Sequence, residues 1–227
     1  MVFNSFLSFL STHYQHFGWM GSLVILLGSL LSGLVYSGKS SEKYSILNHY
    51  ISELGEIGVA KRAWAFNTGM IVGGTLFLPF IAGLGLSLSS WTGWAGMAAG
   101  LLAAVSSVFV GIFSMERMEP HRKAAMTFFR SGLVTILFFT IAVFLQPAVH
   151  RTIPLAVNII GIAAITCYSA FLLIVDLKSA EKKEENQNLD PTQEKERPRF
   201  WRTPFLEWLV FFSTIAWFLC VSLILLA

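Results

Sequence analysis

Residues 64–114 read WAFNTGMIVGGTLFLPFIAGLGLSLSSWTGWAGMAAGLLAAVSSVFVGIFS, without a single Asp, Glu, Lys, Arg or His. A helix crosses the hydrocarbon core of a bilayer with about 20 apolar residues. This stretch therefore holds two spans, Trp64–Leu88 and Trp91–Ser114, joined only by Ser89 and Ser90. Working outward, four more stretches meet the same requirement: Trp19–Tyr36, Met126–Gln146, Ile153–Val175 and Phe205–Leu226. Tryptophans 19, 64, 91, 94, 201 and 208 cluster at or near span ends, as interfacial aromatics do. The predicted fold class is an all-α membrane protein, a bundle of six transmembrane helices with a short amphipathic interfacial helix after the first span.

Composition agrees. Apolar residues make up 55% of the chain and charged residues 13%, with a mean hydropathy of +0.65. Soluble domains are roughly 25% charged. The net charge of +3 invites a nucleic-acid reading, but no basic patch with interleaved aromatics stands outside the spans, so no nucleic-acid partner is expected. Cys167 and Cys220 both sit in apolar runs and suggest neither a zinc cluster nor a disulfide framework. No cofactor is implied.

Fifteen of the sixteen Lys and Arg residues fall in or beside three alternate loops, and Arg151 alone lies on the other side. The positive-inside rule then puts those loops in the cytoplasm and both termini outside, in a bacterial inner membrane. Four regions follow. Residues 1–18 form an external amphipathic segment or lengthen the first span, which doubles as an uncleaved signal-anchor. Residues 19–176 form a five-span core with cytoplasmic loops 37–62 and 115–125. Residues 177–204 are a polar linker with no apolar face to bury and hence no stable fold. Residues 205–227 form the sixth span. Small-residue pairs, Gly69 with Gly73 and Gly96 with Gly100, with Ser29 and Gly33 a weaker version, permit close helix approach. They read as packing seams within one bundle, or as the face of a homo-oligomer.

Two loop segments carry the polar chemistry. In the first, Ser41 to Gly58, a helical period places Leu47, Ile51 and Leu54 on one stripe and His49, Ser52, Glu53 and Glu56 on the other. Ser41 would be its N-cap and Gly55 and Gly58 its stop. The acidic face turns toward water or a neighbouring loop. In the second, Gly111 to Lys123, Pro120 suits the first turn of a helix, and His121, Arg122 and Lys123 crowd that turn. Cations there oppose the helix dipole and fit better beside an anion. Lys123, Thr127 and Arg130 share one face, and Arg130 lies deep enough to need a partner or to snorkel. Asn67, one turn inside the second span, is placed to bond to a neighbouring helix or to the loop cluster.

These residues also carry a resemblance. Tyr44-Ser45 follows the first span. Next come Tyr-Ile-Ser-x-Leu-Gly over Tyr50 to Gly55, Phe66-Asn67 opening a glycine-rich span, and Gly111-Ile-Phe113 before a His. Over roughly residues 19 to 175 the chain resembles the bacterial six-span family called domain of unknown function 998. The resemblance implies a fold and no activity. It also implies an acidic residue after Gly-x-Phe-Pro, where this chain has Ser114-Met115-Glu116, so Glu116 or Glu119 would take that role.

Three functions are consistent with this pattern. The first is binding of membrane lipids, an anionic lipid at the cytoplasmic interface, by Arg122, Lys123 and Arg130 with Tyr50, Ser52 and Asn67. The second is a membrane-embedded hydrolase, metal-dependent or not. Its catalytic candidates are His49, Glu53, Glu119 and His121, and its metal-ligand candidates are His49, Glu53, Glu116 and His121. A metal site needs three or more such ligands to converge. The third is a structural subunit of a membrane complex. Ion transport is disfavoured, because apart from Arg130 the spans are nearly free of ionisable residues at depth.

Overall fold

The computed structural model describes residues 2–185 and 197–227. The long helices are α1 (Val2–Gly33), α2 (Ala63–Ser87), α3 (Trp91–Ile112), α4 (Met118–Leu145), α5 (Val157–Glu185) and α6 (Arg202–Ile224). Each contains a segment long and apolar enough to cross a membrane. Short 3-10 helices occur at Ile51–Gly55, Met115–Arg117 and Ala148–His150. The chain is an integral membrane protein.

The expected spans are all present, with shifted ends. Residues 2–18 lengthen the first helix, so the segment before residue 19 is continuous with α1. That helix stops at Gly33, which leaves Tyr36 in the following loop. The fourth helix starts eight residues earlier than its apolar run, because Met118 to Ala125 are good helix formers apart from Pro120 in the first turn. The linker expected over residues 177–204 is narrower at both ends: α5 continues to Glu185 and α6 begins at Arg202. Polar residues propagate a helix already nucleated by an apolar span at low cost. The middle of that linker, residues 186–196, lies outside the described residues.

Each helix packs on its neighbour in sequence, and α1 closes on α6, so the bundle is a ring in chain order. The α2–α3 hairpin turns through Ser89, at φ 43°, and Ser90, whose hydroxyl accepts the Gly93 N–H at 3.0 Å as an N-cap. Helices α1 and α2 cross closely. A Cβ on Gly28 would lie 2.5 Å from the Ala65 carbonyl oxygen and 3.2 Å from the Gly69 Cα. Gly96 faces Phe139 of α4, and Gly100 faces Ile81 and Thr135. Both small-residue pairs are thus used within the bundle.

Inside the ring, one half is filled by aromatics from three helices. Phe77 meets Phe218 with ring centroids 4.7 Å apart, Phe80 meets Phe218 at 5.5 Å, and Phe139 stacks on Trp217 at 5.9 Å. Below them, toward the end where the charged loops emerge, a cavity of about 80 Å³ is walled by all six helices and is apolar except for a few groups, among them Ser52, His121 and Glu207. The Ile51–Gly55 helix lies across this charged end against α1, α2, α6 and the Met115–Arg117 turn. The two loop segments therefore meet in space.

Candidate functional site

The first loop does not form the amphipathic α-helix that its period suggests. Ser41 has φ 61°, in the left-handed region, and donates its backbone N–H to Gly38 in a turn, so it caps no helix. The helical part is confined to the five residues Ile51–Gly55. The reason lies in competing partners for the backbone. Ser32 of α1 donates its hydroxyl to the Leu54 carbonyl at 2.6 Å, and Asn67 of α2 donates its amide to the Gly55 carbonyl at 3.0 Å. The Tyr44 hydroxyl donates to the Tyr50 carbonyl at 2.8 Å and accepts the Trp208 indole N–H at 3.0 Å. The Trp201 N–H reaches the Leu47 carbonyl at 2.8 Å. Glu207, inside α6, accepts the Ile51 N–H at 2.8 Å. Tertiary bonds of this number override a local helical preference.

The polar stripe turns inward as well. His49 and Glu53 are 2% and 5% exposed. The Glu53 carboxylate sits among four donors: Tyr50 N–H at 2.8 Å, the Tyr36 hydroxyl at 3.4 Å, and both terminal nitrogens of Arg197 at 3.0 and 2.9 Å. The arginine fork is bidentate, the strongest form of carboxylate recognition. Arg197 also donates to the Asn48 carbonyl at 2.8 Å. Its bond to Glu53 raises its pKa.

His49 is held through Nδ1, 2.8 Å from the Asn48 Oδ1. The Asn48 amide nitrogen is committed to the Pro198 carbonyl at 2.9 Å, so its oxygen faces the ring; this contact, the shortest at Nδ1, and the Ser45 carbonyl at 3.2 Å assign the proton to Nδ1, against the Ser45 N–H that also lies 3.2 Å from it. Nε2 then presents a lone pair. Among the described residues it has no hydrogen-bond partner, and the nearest carboxylate oxygen, on Glu42, is 3.9 Å away. Burial holds the imidazole below its ordinary pKa, Glu53 and Glu42 oppose that, and Arg197 adds to it. Burial also raises the Tyr36 and Tyr44 hydroxyls, and pushes Tyr50 up to about 12.

Tyr36, Lys39, Glu42, His49, Glu53 and Arg197, with Lys43 and Glu56, line an open cleft of about 710 Å³. Lys39 pairs with Glu56 at 3.1 Å and is 75% exposed.

The other sequence candidates go elsewhere. Glu119 is exposed and binds Arg122 at 3.3 Å and Lys123 at 3.2 Å, so the first-turn cations find their anion within the same helix. Arg130 pairs with Asp176 of α5 at 3.4 Å on the exposed surface. Glu116 is exposed. His121 is buried and its Nδ1 lies 2.7 Å from the Phe113 carbonyl, closing the end of α3, while its ring borders the interior cavity. Ser52 borders the same cavity. Tyr50 packs edge-on to Trp201 with centroids 5.3 Å apart and hydrogen-bonds to Thr203. Asn67 serves the loop rather than a neighbouring helix. His49 and Glu53 thus face the cleft, His121 the cavity and Glu119 the outside. Among the described residues no three His, Cys, Asp or Glu side chains come together to hold a metal ion.

Three residues that position this site were not singled out in the sequence: Arg197, Glu207 and Tyr36. Glu207 carried a signal, since it is a carboxylate five residues into an apolar span, and ionisable groups there are rare and functional by default. It is a second ionisable residue, beside Arg130, in spans that are nearly free of them. Arg197 lies in a charge-rich run and gave none.

The family described as protein of unknown function (DUF998) matches residues 20–224. The chain belongs to this family. The DUF998 match runs beyond the first five spans and takes in α6, and with it Arg197, Glu207 and Trp208. No curated protein and no solved structure matches.

Proposed function

We propose that this DUF998 protein binds a phospholipid at the cytoplasmic membrane interface, with the headgroup in the cleft between the first loop and Arg197. The observation that carries this reading is the place and size of the cleft. At about 710 Å³ it falls within the roughly 300–1,000 Å³ of small-molecule sites. It opens where the membrane-facing surface of α1 ends. Leu27 and Leu30 of that surface and Leu34 just past its end are 47%, 55% and 72% exposed, and Tyr36 begins the cleft wall two residues later. A lipid whose chains lie along these leucines has its phosphate at the level of Lys39 and Lys43. An exposed ion pair such as Lys39–Glu56 is worth only about 0–1 kcal/mol, so a phosphate displaces the carboxylate at little cost. The same holds for Arg122, Lys123 and Arg130, a second basic patch on the outside of α4.

Native mass spectrometry of the protein in mild detergent tests this. Wild type is expected to retain phospholipid, and Lys39→Ala/Lys43→Ala to lose most of it while Arg130→Ala keeps it. Loss with Arg130→Ala alone would move the site to the α4–α5 surface. A wild-type protein free of lipid would sink the reading.

A further inference from the structure

The cleft holds one group that the phosphate does not explain. The His49 Nε2 atom is buried, carries a lone pair, and finds no donor among the described residues. Over it, at 3.9 Å, lies the Glu42 carboxylate, which is a second acceptor. Two acceptors do not bond to each other, and leaving a buried acceptor unmade costs roughly 1–3 kcal/mol. Charge points the same way. Arg197 is committed to Glu53 and Lys39 to Glu56, whereas Glu42 has no Lys or Arg within ion-pair distance among the described residues. The cleft is thus short of one cation at the place where it is short of one donor.

We infer that the space between His49 and Glu42 receives a primary ammonium group. A nitrogen about 2.9 Å from each acceptor, the usual N–H···O length, would subtend about 85° across the 3.9 Å gap. That is within the bending tolerance of two N–H bonds on one tetrahedral nitrogen. Tyr36 borders the cleft, and its ring packs edge-on to His49 with centroids 5.4 Å apart. An aromatic wall of this kind favours a cation further. A quaternary ammonium has no N–H and leaves both acceptors unmet, so the site discriminates amine classes.

Access is through Glu42. Its carboxylate is a third exposed and accepts the Ser40 N–H at 2.9 Å within the Gly38–Glu42 turn, so swinging outward gives up that one exposed hydrogen bond and leaves the core undisturbed. Gly38 makes its present position available, since a Cβ there would collide with that carboxylate.

This inference rests on the lipid reading for the source of the ammonium, an aminophospholipid headgroup, while a free primary amine carries the same chemistry. The test is binding to purified full-length protein of phosphatidylethanolamine, phosphatidylcholine and phosphatidylglycerol with identical chains, alongside free ethanolamine. Wild type, Glu42→Gln and Gly38→Ala are compared after each is shown to keep the wild-type unfolding temperature within a few degrees. Gly38→Ala shifts the Glu42 charge without removing it. The expected result is a preference of roughly tenfold for the ethanolamine lipid over the choline lipid, falling to near parity in both variants. Ethanolamine binding without any lipid binding would keep the ammonium site and overturn the lipid reading. Equal binding of the ethanolamine and choline lipids, unchanged in the variants, would overturn the ammonium site and leave the lipid reading standing. Failure of every lipid and of ethanolamine would overturn both.

Discussion

Removing Arg197 should cost far more than neutralising Glu53, and neutralising Glu53 should then partly repair the loss. Glu53 is 5% exposed and Arg197 supplies two of its four donors. In Arg197→Ala the carboxylate stays buried with only the Tyr50 N–H and the Tyr36 hydroxyl. Stranding one partner of a buried pair costs about 3–5 kcal/mol. The pair lines an open cleft, and the arginine side chain is 34% exposed, so water recovers part of this and about 3 kcal/mol is the working figure. Glu53→Gln leaves the charge on the arginine, which can rehydrate. It keeps an acceptor for Tyr50 and loses one charge-assisted bond, for about 1–2 kcal/mol. The double variant Arg197→Ala/Glu53→Gln has no buried charge to strand. It should therefore be more stable than Arg197→Ala alone by about 1–2 kcal/mol.

The assay is thermal unfolding in one fixed detergent. For a chain of this size each kcal/mol moves the midpoint by roughly 2–4 °C. Arg197→Ala should fall by about 6–12 °C and regain several degrees when Glu53→Gln is added. A double variant no more stable than Arg197→Ala would refute the reasoning. It would mean that the arginine acts through its bond to the Asn48 carbonyl and its packing, and not by balancing the carboxylate.

Three further outcomes follow from the same geometry. Burial lowers the His49 pKa from 6.5, so as the pH falls through 6.5 the unfolded chain takes up a proton before the folded chain does. Stability should fall across that step, and the fall should be smaller in His49→Gln, as read by unfolding temperature above and below it. Gly28→Ala drives a Cβ into the Ala65 carbonyl and should cost about 1–3 kcal/mol, whereas Gly33→Ala meets nothing closer than Leu54 at 3.8 Å and should be neutral within about 1 kcal/mol. Arg130→Ala breaks a pair exposed on both sides and should change stability by less than about 1 kcal/mol, measured in the same way.

The six crossings were legible because hydrocarbon as a solvent leaves the chain few choices. Long apolar runs, with Ser89 and Ser90 as the whole of one turn, determine the number and order of the helices before any packing is considered. The site was half legible. His49 and Glu53 were picked out by residue type, but the helical period that paired them left their face turned either toward water or toward a neighbouring loop. Periodicity assumes that a segment bonds to itself. Here Ser32, Asn67, Glu207 and Trp208, all from other helices, take over the bonding. The same long-range logic hid Arg197, whose partner Glu53 lies 144 residues earlier in the chain.

That distance says something about how the charged end is made. The first loop leaves α1 near the start of the chain, yet several of its bonds go to residues at or beyond Arg197. These include Asn48 to Pro198, Leu47 to Trp201, Ile51 to Glu207, and Tyr44 and His49 to Trp208. With α1 to α5 alone, the Ile51 N–H and the Glu53 carboxylate have lost their α6-side partners while both residues stay in the buried part of the loop. An unmet buried polar group costs enough to keep such a segment from settling. The cleft therefore forms only when α6 closes the ring against α1, and the polar groups on α6 make that closure and the folding of the first loop one event. A carboxylate five residues into the last span is expensive as membrane chemistry. It is retained here with its oxygen on the backbone of the loop that carries the site.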